Sequence, residues 1–158
     1  MKTRLGVPLR LLGQLWRFRP SEAEAPSHRH ALLELEHVIQ GRATLAVGGQ
    51  QFGVEPRSLL WIRPGLEHQL VEYSDDFEMW IACFRPRLVR RSSGRQSARE
   101  LLGRRGVNPS PRTLSATEAR RLCTLLAEVS AYGEPATYNA GLGHLLAHAW
   151  LQYRQAER

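Results

Sequence analysis

Four side chains in the first half of the chain could do chemistry together: His28, His30, Glu34 and His68. The first three lie in the run His28-Arg-His30-Ala-Leu-Leu-Glu34, separated by two and four residues. Successive side chains of a regular β-strand point to opposite faces, so this spacing puts all three on one face. His68 follows the Pro64-Gly65 turn and would join them from a later strand. Three imidazoles and one carboxylate form a mixed nitrogen and oxygen set that suits a divalent transition metal, Zn, Fe, Mn, Ni or Cu, without choosing among them. The alternative is a polar lumen whose side chains hydrogen-bond one another without metal. The opposite face of the run, Ala31, Leu33, Leu35, His37 and Ile39, is the more apolar one, which requires a helical layer or a second sheet to cover it. His144 and His148 are also spaced for a common face, four residues apart, but have no third ligand nearby in sequence.

The elements that would position these groups are short. From Leu9 to Phe84, runs with β-branched and aromatic residues alternate with Gly and Pro, as in a sandwich or barrel. The pattern predicts strands over 9–18, 31–39, 42–47, 51–54, 58–63, 66–73 and 77–84, with Gly48-Gly49 as a hairpin turn. Trp16, Trp61 and Trp80 would serve either as core or as aromatic walls for a ligand inside the barrel. From Arg85 to Thr113 the composition turns to Arg, Ser, Gly and Pro, predicting an exposed connection with a short helix around 96–103. Ser115-Ala-Thr-Glu118 has the spacing of a capping box, which starts a helix running to about Ala131. After Gly133 and Pro135 a second helix follows, so the two make a hairpin. Its stripe of Leu142, Leu145, Leu146, Ala149, Trp150 and Tyr153 is broad enough to predict a homodimer interface.

A length of 158 residues with 42% apolar content suits one compact core. Cys83 and Cys123 are far apart and lack metal or disulfide spacing, which fits a reducing, cytoplasmic setting. The apolar character of residues 1–13 is broken by Pro8 and Arg10, and no run approaches the roughly 20 residues of a membrane span, so no membrane association is expected. The net charge of +7 is concentrated: residues 85–121 hold eleven arginines against Glu100 and Glu118. Such a strip could meet phosphates, although exposed connections gather charge without a partner.

The run His28-x-His30-x₃-Glu34-x₆-Gly41 and the later Gly65-x-x-His68 resemble the two motifs of the cupin superfamily. Glu22 stands at the first motif's leading glycine, Arg63 at the usual first proline of the second, and Glu72 where many cupins have asparagine. Leu33-Glu34-Leu35 running into Gly41, Ile62-Arg-Pro-Gly65, Trp80-Ile-Ala-Cys-Phe84-Arg-Pro and Arg112-Thr-Leu-Ser115 further resemble the sensor domains of AraC-type transcription regulators. The resemblance implies a mainly β fold, a cupin double-stranded β-helix or jelly-roll barrel over residues 1–84. An arginine-rich connection over 85–114 and an antiparallel helical hairpin for dimerisation over 115–158 would follow. It further implies a domain that senses a small-molecule effector, pairs with a second copy, and reaches DNA only through a C-terminal helix-turn-helix module that this chain does not contain. The alternative is a stand-alone metal-dependent cupin enzyme of the dioxygenase, isomerase or lyase type.

Overall fold

The computed structural model describes residues 6–21, 26–106 and 108–156. The seven runs of short-period apolar sequence become seven strands: β1 (Gly13–Phe18), β2 (Leu33–Gln40), β3 (Ala43–Val47), β4 (Gln50–Val54), β5 (Ser58–Ile62), β6 (His68–Tyr73) and β7 (Glu78–Phe84). An eighth, β8 (Arg112–Thr113), pairs antiparallel with β5 and was not legible as a strand because only two residues take part. Strands in the order β1-β7-β2-β5-β8 form one sheet and β4-β3-β6 the other. The tight connections are glycine-dependent where the backbone turns left-handed. Gly48 and Gly49 both have positive φ, 56° and 83°, as a two-residue hairpin turn between β3 and β4 demands. Gly41 has φ of 76°, and a Cβ there would lie 2.6 Å from the Phe77 backbone.

Between the sheets lies a lumen core built from alternate residues of both, including Val38, Leu60, Ile62, Met79 and Ile81 from one and Leu45, Val47 and Val54 from the other. The other face of the larger sheet is equally apolar, and helices cover it. Among the described residues, four helices follow the barrel: α1 (Pro86–Ser92), α2 (Arg95–Leu102), α3 (Ala116–Ser130) and α4 (Pro135–Gln155). Leu33 and Leu35 of β2, Leu59 and Trp61 of β5, and Phe84 of β7 share a second core with Leu122 and Leu126 of α3 and with Leu142, Leu145 and Leu146 of α4. This is the covering layer that the apolar face of the His28–Glu34 run required. The fold is thus a mainly β jelly-roll barrel backed by a helical hairpin.

Two expectations need correction. The 85–114 stretch contains the short helix expected around 96–103, which is α2, but it also folds into α1 and β8, and Leu88, Val89 and Leu101 are buried in the sheet-helix core rather than exposed. Its arginines stay outside while these few apolar residues anchor it. The stripe expected to form the dimer interface, Leu142, Leu145, Leu146, Ala149, Trp150 and Tyr153, is buried within one chain, at 0–5% exposure. The breadth of the stripe reflects packing against the sheet, α1 and α3 together. Trp150 meets Trp61 edge-on at 6.1 Å between ring centres. Tyr153 donates its hydroxyl to the Ser110 carbonyl at 2.6 Å and lies under the Arg112 guanidinium at 4.1 Å, which fixes the approach to β8. The capping box is formed as the sequence predicts, with Ser115 Oγ accepting from the Glu118 N–H and the Glu118 carboxylate accepting from the Ser115 N–H.

Candidate metal centre

The structure gathers His28, His30, Glu34 and His68 where the two sheets meet, Glu34 on β2 of the larger and His68 on β6 of the smaller, with one ligand atom from each lying within 4.8 Å of all the others. Regular strand alternation is not what does this, because β2 begins only at Leu33 and the chain bends at Ala31 and Leu32. Instead, the segment before β2 is strapped to the start of β6. His28 and His68 exchange backbone hydrogen bonds, at 3.0 and 2.9 Å, and the Gly65 N–H donates to the His30 carbonyl at 2.7 Å. The ring centres of His28 and His68 are consequently 4.2 Å apart, and those of His30 and His68 5.3 Å. Glu34 points inward from β2, and its Oε2 accepts from His30 Nε2 at 2.6 Å and from His68 Nε2 at 3.1 Å.

Burial makes these contacts matter: the side chains of His30, Glu34 and His68 are only 4–5% exposed. Burial alone would raise the Glu34 carboxyl, but hydrogen bonds from His30 and His68 and the His68 charge hold it below the usual carboxylate range. Burial likewise opposes a charge on His68, and the hydrogen bond and charge of Glu34 outweigh it, so His68 is more basic than an ordinary histidine. His28 shifts the other way, through burial and the neighbouring His68 charge.

The donor set fits a divalent transition metal. A ligating imidazole offers one ring nitrogen to the cation while the other donates to a protein acceptor. His68 Nδ1 donates to the Leu66 carbonyl at 2.9 Å and His28 Nδ1 to the Pro26 carbonyl at 3.2 Å, which leaves Nε2 of each for a cation. His30 and His68 both aim Nε2 at Glu34 Oε2, so a cation held by His28, His30, Glu34 and His68 would replace protons those atoms share. Such a metal would supply a Lewis acid on which a small polar ligand could be anchored.

Of the three tryptophans expected to wall a ligand site, only Trp16 packs against the lumen core. Trp61 and Trp80 belong to the core between sheet and helices, on the opposite pleat from their neighbours Leu60, Ile62, Met79 and Ile81. They are therefore structural. Among the described residues, no third ligand joins His144 and His148, whose ring centres are 6.2 Å apart. Glu22 lies outside the described residues, whereas Arg63 donates to the Arg104 carbonyl at 2.5 Å, tying the barrel to the stretch after α2. The sequence reading missed two lumen neighbours of Glu34. Cys83 is its cross-strand partner on β7, and Glu36 follows it on the same face of β2. The period-two rule applied to Glu34 would have found Glu36.

Residues 14–83 match the family model of the cupin domain. Among solved structures the chain is similar to the AraC-like transcriptional activator CuxR, at 13% identity over 82% of this chain and 45% of that one, with a TM-score of 0.56. It is also similar to the plu4264 protein from Photorhabdus luminescens, at 24% identity over 54% of this chain and 64% of that one, TM-score 0.39. A third similar structure is a predicted oxalate decarboxylase from Thermotoga maritima, at 13% identity over 46% and 64% of the two chains, TM-score 0.39. The chain spans less than two thirds of each of these proteins. No curated protein matches. The likeness to the activator is too extensive to come from the barrel alone, since 82% of the chain must include the helices. Residues 14–83 are therefore a cupin domain, and the helices that follow complete a fold shared with an AraC-like activator.

Proposed function

We propose that this chain is the effector-sensing part of a bacterial AraC-type transcription regulator, in which a metal-anchored small molecule in the barrel is reported through the helices. The observation that carries this reading is the double use of β2. Glu34 faces the candidate metal centre, while Leu33 and Leu35 on the same strand are packed into the core shared with α3 and α4. A change at the centre that moves β2 must be accommodated by the helical hairpin, because close-packed cores transmit displacement rather than absorb it. In this reading the protein works in the cytoplasm, DNA is read by a helix-turn-helix module outside this chain, and two copies pair through the hairpin. Among the described residues no helix is long and apolar enough to cross a membrane. The four-ligand set also supports a second reading, a metal-dependent cupin enzyme of the dioxygenase, isomerase or lyase type.

Amide hydrogen exchange with and without Zn²⁺ separates the two. Elemental analysis of the reconstituted protein is expected to show bound metal that the double variant His30→Ala/His68→Ala loses. Exchange is expected to slow in β2 and β6 and also in α3 and α4. Protection confined to residues 26–36 and 66–70 would favour the enzyme, and no metal uptake at neutral pH would remove the centre from both readings.

A further inference from the structure

Away from the barrel, positive charge is gathered on one short stretch. Of 22 basic and 15 acidic side chains, residues 85–121 hold eleven and two, so the rest of the chain is slightly acidic and no general abundance of arginine accounts for the cluster. On α1 and α2, Arg87, Arg90, Arg91, Arg95 and Arg99 are all exposed. Among the described residues, none of these five side chains has a hydrogen bond or an ion pair. The one acid on the two helices, Glu100, accepts from Gln96 at 3.1 Å.

Helix ends do not explain the arrangement. A positive charge suits the last turn of a helix, where Arg90, Arg91 and Arg99 lie, and is disfavoured in the first turn, where Arg87 and Arg95 lie without an acid to offset them. Arg90 of α1 and Arg95 and Arg99 of α2 nevertheless line one open cleft, which sets like charges side by side. Arg95 and Arg99 are four residues apart, so they stand one turn apart on the same face of α2. Such a set relieves its own repulsion by taking up an anion, and planar guanidinium groups suit phosphate oxygens, which they bind through paired hydrogen bonds.

The apolar residues of these helices are turned inward: Leu88, Val89, Ala98 and Leu101 are buried. A docked protein is held by an apolar centre with charge at its rim, the reverse of this face. A nucleic-acid backbone needs only repeated positive charge. We propose that the arginine face of α1 and α2 is a contact for the phosphate backbone of double-stranded DNA, made without regard to base sequence. The proposal goes beyond the proposed function, in which a module outside this chain reads DNA: here the sensing part itself holds the duplex and adds affinity without specificity.

The experiment is fluorescence anisotropy of two labelled duplexes of unrelated sequence titrated with the full chain, between about 50 and 200 mM KCl. The melting temperature of each variant is measured alongside to verify folding. The parent is expected to bind both duplexes alike, with an affinity that falls steeply with salt. Arg90→Gln/Arg95→Gln/Arg99→Gln is expected to bind at least roughly tenfold more weakly at low salt and to flatten the slope of log K against log salt by roughly 2–3. Arg95→Gln/Arg99→Gln carries the same expectation, with a slope change of about 2, should the triple variant not fold. Arg42→Gln/Arg120→Gln/Arg121→Gln removes the same charge from exposed positions on other elements and is expected to stay within about threefold of the parent. A parent that binds neither duplex at low salt overturns the proposal and leaves the regulator reading standing. So does an equal loss in the two triple variants, because net charge alone would then attract the duplex. A preference of more than about tenfold for one duplex also overturns it, since backbone contacts carry no sequence information. A poly-aspartate peptide that displaces the duplex at an equal or lower concentration of charge overturns it in favour of an acidic protein partner.

Discussion

Glu34 and His37 stand three residues apart on β2, face opposite sides of its sheet, and meet burial with different resources. Glu34 has two imidazole donors and stays ionised against the cost of desolvation. His37 is 1% exposed, paired across the sheet with Leu59 and Trp80, and donates from Nδ1 to the Ser58 carbonyl at 3.1 Å. Burial outweighs that one hydrogen bond and lowers its pKa to about 4 from an ordinary 6.5. Folded His37 therefore remains neutral while the unfolded chain takes up a proton, so its contribution is intact above pH 6.5 and is lost as pH falls toward 4. The full loss is on the order of 3 kcal/mol. His37→Asn keeps an N–H donor near Ser58 but cannot titrate. Urea unfolding across that range should show the parent losing stability more steeply than the variant, and parallel curves would contradict the assignment.

At the level of elements, α3 shows how a local signal and a long-range one combine. Its start depends on the Ser115–Glu118 box and its docking on Leu122, Leu126 and Val129. Ser115→Ala should cost about 1 kcal/mol, whereas Leu126→Ala, which opens a cavity in the sheet-helix core, should cost about 2–5 kcal/mol. Chemical denaturation measures both, and equal losses would mean that the cap carries more than a helix end. The same contrast explains what could be read in advance. Seven strands and the hairpin were legible because period-two alternation, the Gly48-Gly49 turn and the capping box are all local in sequence. The α1 helix was hidden because Leu88 and Val89 are its buried residues among Arg87, Arg90 and Arg91. The four candidate ligands were legible by type, but their assembly depends on the His28–His68 backbone pairing, which no strand pattern announces. Trp61 and Trp80 stayed open between core and ligand wall because a tryptophan suits either apolar face, and only the packing of α3 and α4 decides which face each serves.

At the scale of the molecule, charge and apolar surface are arranged on different parts of the helical layer. Arg90, Arg95 and Arg99 line an open cleft of α1 and α2, over Ala98 and Leu102. The outer side of α4 is uncharged over most of its length. Ala140, His144, Ala147 and Leu151 are all exposed there, at intervals of four, three and four residues, and Leu151 is half-exposed. That spacing is the seam spacing of paired helices, and small residues within it let two backbones approach closely. The homodimer of the proposed function is therefore expected through this outward stripe, since the inward one is already covered within the chain. The two faces respond differently to charge. Leu145→Glu buries an unpaired carboxylate at a position of 0% exposure and should unfold the chain. Leu151→Glu meets solvent in the single chain and should leave its melting behaviour near that of a dissociated parent while halving the mass seen by light scattering. A parent that is monomeric at micromolar concentration ends the dimer hypothesis, and a dimer that survives Leu151→Glu moves the interface away from α4, to the barrel or to the arginine-rich cleft.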